Sequence, residues 1–117
     1  MLVRPFMEGK EVFRHAVTRM PEAIHEVLDE AGLTIDQVDM VIPHQANLRI
    51  AEMVQRRLGL PDDKMYNNIM RYGNTTAASI PIALSEAVDE GKIERGDLVA
   101  FAAFGSGFTW GGALVRW

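Results

Sequence analysis

Apolar residues recur at two different periods along the chain. From Val12 to Ala31 they fall three and four positions apart (Val12, Phe13, Ala16, Val17, Met20, Ile24, Val27, Leu28, Ala31), which is the spacing of one buried helix face. Pro21 interrupts the run and predicts a kink or two consecutive helices, and Gly32 supplies the stop. Thr34-Ile35-Asp36-Gln37 has capping-box form, with room for a single turn of helix. Met40-Val41-Ile42 then reads as a short buried strand, closed by Pro43, which has no N–H to give to a ladder. Helical spacing returns at Ile50, Ala51, Val54 and Leu58, predicting a helix over residues 47–58 that Gly59 and Pro61 end. Met65-Tyr66-Asn67 is a candidate short strand, followed by a polar stretch from Asn68 to Thr75. A helix is expected from Thr76 to Glu90, with Ala77, Ile80, Leu84, Ala87 and Val88 inward and Pro81 tolerated near its start. Leu98 to Phe104 is the most apolar run and predicts a central strand buried on both faces. Gly105-Ser106-Gly107 reads as a tight turn, and Phe108 to Trp117 as a returning strand in which Gly111 and Gly112 permit close packing. Pro5-Phe6-Met7 is a short extended piece at the start.

Helices alternating with strands in this order predict one α/β domain, residues 1–117, with helices packed on a mixed sheet whose last two strands form an antiparallel hairpin. A length of 117 residues is enough for a hydrophobic core, and 48% apolar with 24% charged residues is the balance of a soluble globular protein. A formal charge of −4 argues against general nucleic-acid binding, because no basic excess is present to neutralise phosphates. No apolar run approaches the roughly 18 residues of a membrane span, and no secretory signal is visible at the start, so a cytoplasmic location is expected. Cysteine is absent, which removes disulfides, thiolate metal sites and a cysteine nucleophile from this chain.

The polar residues with chemical interest cluster after the apolar runs. His44, Gln45 and Asn47 follow the buried strand directly, and Asn47 suits the N-cap of the next helix. Open α/β sheets place their sites at such a strand end, although a lone histidine there also serves as a hydrogen-bonded structural residue. A second polar turn, Tyr72-Gly73-Asn74-Thr75, lies further on. His15, His25 and His44 are scattered without the one-turn spacing of a helical metal pair, and no metal is expected. The glycine turn at 105–107 precedes a strand rather than a helix, so it is not a dinucleotide loop. It is either a plain hairpin turn or a set of backbone N–H groups for an oxyanion hole. Arg49, Glu52 and Arg56 share one helix face with Arg57 beside them. These arginines are either a solvated face or a docking surface for an acidic partner or phosphates.

Three stretches in this order, Val41-Ile42-Pro43-His44-Gln45-Ala46-Asn47, Tyr72-Gly73-Asn74-Thr75-Thr76-Ala77-Ala78-Ser79 and Ala103-Phe104-Gly105-Ser106-Gly107-Phe108-Thr109-Trp110-Gly111, resemble the C-terminal half of beta-ketoacyl-acyl-carrier-protein synthase III. The resemblance runs from Met7-Glu8-Gly9 to the last strand and implies the thiolase fold, in which two five-stranded α/β halves pack together. This chain would be the second half, with a five-stranded mixed sheet and the N-terminal half absent. The family performs decarboxylating Claisen condensation of acyl-coenzyme A with malonyl-acyl-carrier protein, which initiates fatty-acid synthesis. The resemblance implies His44 and Asn74 as the catalytic pair that stabilises the enolate. It implies backbone N–H groups of Gly105, Ser106 and Gly107 at the other oxyanion hole, although family members generally carry glycine where this chain has Ser106. Ala46 and Asn47 match positions near the pantetheine arm, and Arg49, Arg56 and Arg57 match a carrier-protein docking surface.

No cofactor is implied beyond the coenzyme A and carrier-protein thioesters as substrates. The implied partners are an N-terminal half bearing the cysteine nucleophile, acyl carrier protein, acyl-coenzyme A and a second copy in a homodimer, with neither nucleic acid nor membrane. Without a cysteine the chain cannot itself form the acyl-enzyme. Two further readings stand beside the synthase half. One is a non-catalytic half-fold that associates with its own copy, and the other is half of a related Cys-His-Asn synthase of the polyketide or quinolone type.

Overall fold

Met40, Val41, Ile42 and Pro43 are all buried and form β1 (Met40–Pro43). The structure is a computed structural model that describes residues 9–44, 48–68, 79–105 and 109–117. The remaining elements are α1 (Gly9–Ala31), α2 (Leu48–Leu58), α3 (Ser79–Asp89), β2 (Leu98–Gly105) and β3 (Thr109–Arg116), with short 3-10 turns at Ile35–Gln37 and Asp62–Lys64. β1 and β2 are parallel with Met40 beside Val99 and Pro43 beside Ala102, and β2 and β3 are antiparallel from Leu98↔Arg116 to Gly105↔Thr109.

Asp39 fixes the register of the parallel pair. Its backbone N–H donates to Leu98 O at 2.9 Å, and its carboxylate Oδ2 accepts from Leu98 N at 2.8 Å. Two bonds between one pair of residues leave no room for a one-residue slip, which would turn every side chain of β1 to the wrong face.

The sheet has two apolar faces, each with its own cover. On one side Val41, Leu98, Ala100 and Ala102 meet Ala16, Val17, Met20, Ile24 and Leu28 of α1 and Ile50, Ala51, Val54 and Leu58 of α2. On the other, Met40, Ile42 and Val99 meet Ala83 and Ala87 of α3, together with Tyr66 and Ile93. The buried face of α2 is the one the three-and-four spacing predicts. In α1 the predicted Ala31 is exposed, and in α3 the fully buried Ala83 is not among the predicted inward residues, while Ala77 lies outside the described residues. Both α1 and α2 close with the same motif: Gly32 and Gly59 take positive φ (70° and 68°) and the next residue's N–H reaches back to the carbonyl of Leu28 or Gln55. The capping box forms as expected, with Thr34 N donating to Gln37 Oε1 at 2.9 Å.

Three expectations are corrected. Of the two readings of Pro21, division into two consecutive helices is the one corrected: α1 is one element of 23 residues with Pro21 buried inside it, so the apolar ring gains a place in the core while one backbone bond is lost. The sheet has three strands among the described residues, not five. Of the two missing strands, 5–7 lies outside the described residues, and 65–67 is reduced to a single parallel bridge, Val41↔Met65. Tyr66 N donates to Val41 O at 3.0 Å, so the odd residues of β1 face this segment. The next rung would have to be donated by residue 43, which is proline. Finally, β2 is buried on both faces only up to Ala100; Phe101 is half-buried and Ala102 is buried. Ala103 is exposed and Phe104 and Gly105 are half-buried, so the cover thins toward one end of the strand.

Candidate functional site

That thinning end is where the polar residues collect. Because β1 and β2 are parallel, their carboxyl ends lie together, and the chain leaves β1 at His44 and β2 at Gly105 on the same side of the molecule. His44 is fixed through its backbone, whose N–H donates to Ala102 O at 2.7 Å. Its side chain is half-buried, and desolvation by burial lowers its pKa from the ordinary 6.5. The imidazole is therefore neutral at neutral pH, with one N–H donor and one acceptor nitrogen.

α2 begins at the same end, with Arg49 exposed in its first turn and its guanidinium stacked over the Phe13 ring at 5.0 Å from the centroid. Arg56 and Arg57 are exposed in the last turn, where cations complement the helix dipole. Arg56 lies about 10 Å further along the axis than Arg49 and within about 20° of the same face, whereas Arg57 is turned about 80° from it. Glu52 sits between them on that face, also exposed. The result is a basic strip leading away from the His44 end, interrupted by one carboxylate.

α3 points its amino end toward His44. Tyr66 Oη donates to Glu90 Oε2 at 3.1 Å and Asn68 Nδ2 donates to Glu86 Oε2 at 2.6 Å. The chain from 66 to 68 advances in the direction of β1, while the acceptors step back from 90 to 86, so α3 runs antiparallel to β1. Asn68 is 2% exposed, and sequence reasoning placed it in a polar loop. The signal was present as two matched periods. Residues 66 and 68 are two positions apart, and Glu86 and Glu90 are one helical turn apart, Glu90 N–H donating to Glu86 O at 2.9 Å just past the end of α3.

Of the predicted site residues, His44, Gly105 and Arg49 come to one end of the sheet, and Arg56 and Arg57 lie at the far end of α2. Ala46, Asn47, Asn74, Ser106 and Gly107 lie outside the described residues. Gly105 pairs with Thr109, and its N–H environment is that of a strand end rather than of an isolated loop.

The comparisons with known proteins agree with one another. Beta-ketoacyl-[acyl-carrier-protein] synthase III of Desulfotalea psychrophila is 53% identical over 111 residues, which cover 95% of this chain and 34% of that protein. The protein of the same name from Synechocystis is 55% identical over the same span, again 34% of its length. Among solved structures, 3-oxoacyl-[acyl-carrier-protein] synthase III of Aquifex aeolicus matches with TM-score 0.93 and 51% identity, over 96% of this chain and 36% of that one. The synthase III of Thermus thermophilus matches with TM-score 0.95 and 49% identity, over all of this chain and 36% of that one. The priming beta-ketosynthase of the R1128 polyketide pathway matches with TM-score 0.85 and 37% identity over 94% of this chain and 33% of that one. The chain thus spans about a third of the length of the curated relatives it matches. The family model described as 3-oxoacyl-[acyl-carrier-protein] synthase III C terminal matches residues 28–117. With three quarters of its residues inside that match and half of its positions identical to those of the relatives, the chain belongs to the C-terminal family of the 3-oxoacyl-[acyl-carrier-protein] synthases III.

Proposed function

We propose that this chain is the enolate-stabilising half of a synthase that condenses an acyl thioester with malonyl-acyl-carrier protein. The observation that carries the reading is His44, neutral through burial and held by its backbone at the common carboxyl end of β1 and β2. Decarboxylation breaks the bond between the malonyl α-carbon and its carboxylate, releases carbon dioxide and leaves the electron pair as a thioester enolate. The enolate oxygen needs hydrogen-bond donors that are already in place. A neutral imidazole gives one, and the carboxamide of Asn74 gives the other. Two observations support Asn74 in this role. Asn68, which precedes the segment 69–78, follows the Val41↔Met65 bridge by three residues, as His44 does in its own segment, and Ser79, which follows 69–78, starts the α3 end that points toward His44.

The carbanion then attacks an acyl group carried on a cysteine thioester. A carbon–carbon bond forms, the carbon–sulfur bond breaks and the thiolate leaves. No cysteine occurs in residues 1–117, so the nucleophile belongs to an N-terminal half of the kind that makes up the rest of the relatives' length. Backbone N–H groups of Gly105, Ser106 and Gly107 receive the oxyanion of that second step. Ala46 and Asn47 line the pantetheine arm, and Arg49, Arg56 and Arg57 receive the acidic carrier protein. Replacing His44→Ala in the complete protein should cut malonyl-thioester decarboxylation by about a hundredfold or more while self-acylation from acyl-coenzyme A persists. Undiminished decarboxylation would overturn the proposal.

Two specific observations favour neighbouring readings. The match to a polyketide-priming synthase keeps that substrate class open, and a primer panel on the complete protein decides it. On the α3 side of the sheet, Ala103, Gly111, Ala113 and Val115 share one exposed surface near Trp117, with Val115 40% and Trp117 43% exposed. Such a face suits cover by other protein, and a self-associated, turnover-free dimer of the isolated chain would support the non-catalytic module.

A further inference from the structure

The two hydrogen bonds that tie residues 66–68 to α3 are commensurate. Two residues of extended chain span about 6.6 Å, and four residues of helix rise about 6 Å, so Tyr66–Glu90 and Asn68–Glu86 close together at one axial position of α3. Sliding the helix by one residue moves both acceptors about 1.5 Å and turns them by about 100°, which breaks both bonds. The outer tie is reinforced by Lys92, whose Nζ lies 3.4 Å from Glu90 Oε2 and 5.1 Å from the Tyr66 ring centroid. The inner tie is of a different kind. Asn68 is 2% exposed, and its bond to the carboxylate is short and charge-assisted. Counted on from the Val41↔Met65 bridge, three residues along each segment bring Asn68 level with His44.

Asn68 is buried and Glu86 is half-buried, and a hydrogen bond between such a pair adds only modest net stability, whereas leaving the buried amide unpaired is costly. What the polar pair adds is register. We infer that Asn68 and Glu86 are positioning residues for the decarboxylation step: their hydrogen bond sets the height of α3 against β1, and with it the distance between His44 and the amino end of α3. This rests on the functional reading above and deepens it.

The test uses the complete protein and measures two half-reactions separately, self-acylation from acyl-coenzyme A and decarboxylation of malonyl-acyl-carrier protein. Exchanging the pair for apolar residues (Asn68→Leu with Glu86→Leu) should leave the melting temperature and self-acylation unchanged. The decarboxylation kcat should fall by about tenfold or more, as for a sub-ångström misplacement, with KM unaltered. Asn68→Asp is isosteric but sets two carboxylates against each other, and it should give the same selective loss should the apolar pair fail to fold. Glu86→Gln keeps an acceptor oxygen in place and should restore near-normal decarboxylation. The inference is overturned where the apolar pair or Asn68→Asp decarboxylates at the wild-type rate, where both half-reactions fall together, or where Glu86→Gln is as slow as the others. His44→Ala separates the two levels: undiminished decarboxylation in that variant removes the functional reading, whereas its loss beside normal Asn68 variants removes only this inference.

Discussion

Gly112 offers a measurement of how tightly α1 is seated on the sheet. A Cβ added there would lie 2.8 Å from Ala23 O, 3.1 Å from Ala23 C and 3.4 Å from Ala23 Cβ. The first contact is about 0.6 Å short of ordinary van der Waals approach, and it is made to helix backbone, which has no rotamer to change. Neither side gives way easily. Ala23 is flanked by Met20 and Ile24, both at most 2% exposed, and Gly112 is paired with Ala102, which is fully buried. Gly112→Ala should therefore carry an overpacking penalty of about 1–3 kcal/mol, reduced by about 0.5–1 kcal/mol because alanine is the better strand residue. The net change is thus a loss of about 0–2.5 kcal/mol, centred on about 1 kcal/mol, which corresponds to a melting temperature lower by roughly 3–6 °C for a domain of this size. Gly111→Ala is the matched control: nothing lies within 4 Å of its added Cβ, so only the backbone gain of about 0.5–1 kcal/mol applies. The assay is thermal and urea unfolding of both variants, followed by far-UV circular dichroism. Equal stability of the two alanine variants would refute the close-approach argument.

Further outcomes follow from the same coordinates. Asp39→Ala leaves the buried Leu98 N–H without its 2.8 Å acceptor and should cost about 1–3 kcal/mol in urea unfolding; an unchanged midpoint would show that the parallel register does not depend on Asp39. Arg49→Glu reverses a charge at the His44 end of α2 and should weaken carrier-protein binding in a titration while self-acylation persists; equal affinity of the two proteins would remove Arg49 from the docking surface. The folded state holds His44 neutral below its unfolded pKa of 6.5, so the unfolded chain binds more protons as acidity rises. The stabilising contribution of neutral His44 is fully present above pH 6.5, declines as pH falls through 6.5, and levels off once the folded state also protonates. His44→Gln should abolish that part of the acid dependence, and parallel stability profiles of the two proteins would contradict it.

The elements legible in the sequence are those whose burial is one-sided and periodic. α2 was readable because Ile50, Ala51, Val54 and Leu58 repeat on one face and Gly59 closes it, and β1 because its whole length is apolar and ends in proline. Pro21 was harder, since a proline inside a helix is judged by the bond it removes, whereas its burial depends on what α1 packs against. The strand at 65–67 failed for a reason belonging to its neighbour: Pro43 withholds the donor that a second rung requires. Within the site, His44 stood out as a polar residue at the end of a buried run. Asn68 did not, because its partner is 18 positions away and the pairing emerges only when an extended segment and a helix are laid side by side. Arg49 was assigned to the basic face, but its stacking on Phe13 depends on α1 meeting α2 and has no trace in the local spacing.

On the proposed reading, the division of chemistry between this chain and the remainder of a complete synthase follows from what each role demands of its surroundings. A nucleophile must be activated and must leave as an anion, which ties it to an acid–base partner and to a mobile substrate. Donors to an enolate need only be rigid and neutral, because an imidazolium in the same place would protonate the carbanion that has to attack. The features around His44 suit the second role. Its backbone is bonded into β2, burial holds its pKa down, and the helix facing it is fixed in height by two hydrogen bonds. The cover over β2 thins from Phe101 on the α3 side and further at Ala103, Phe104 and Gly105, where on the proposed reading an incoming thioester would need room, and it is closed from Leu98 to Ala100, where the register is set. Rigidity and access are thus obtained from different halves of the same strand. That arrangement is why a substitution deep in the sheet, such as Asp39→Ala, is expected to act on stability, and one at Asn68 on the rate of a single step.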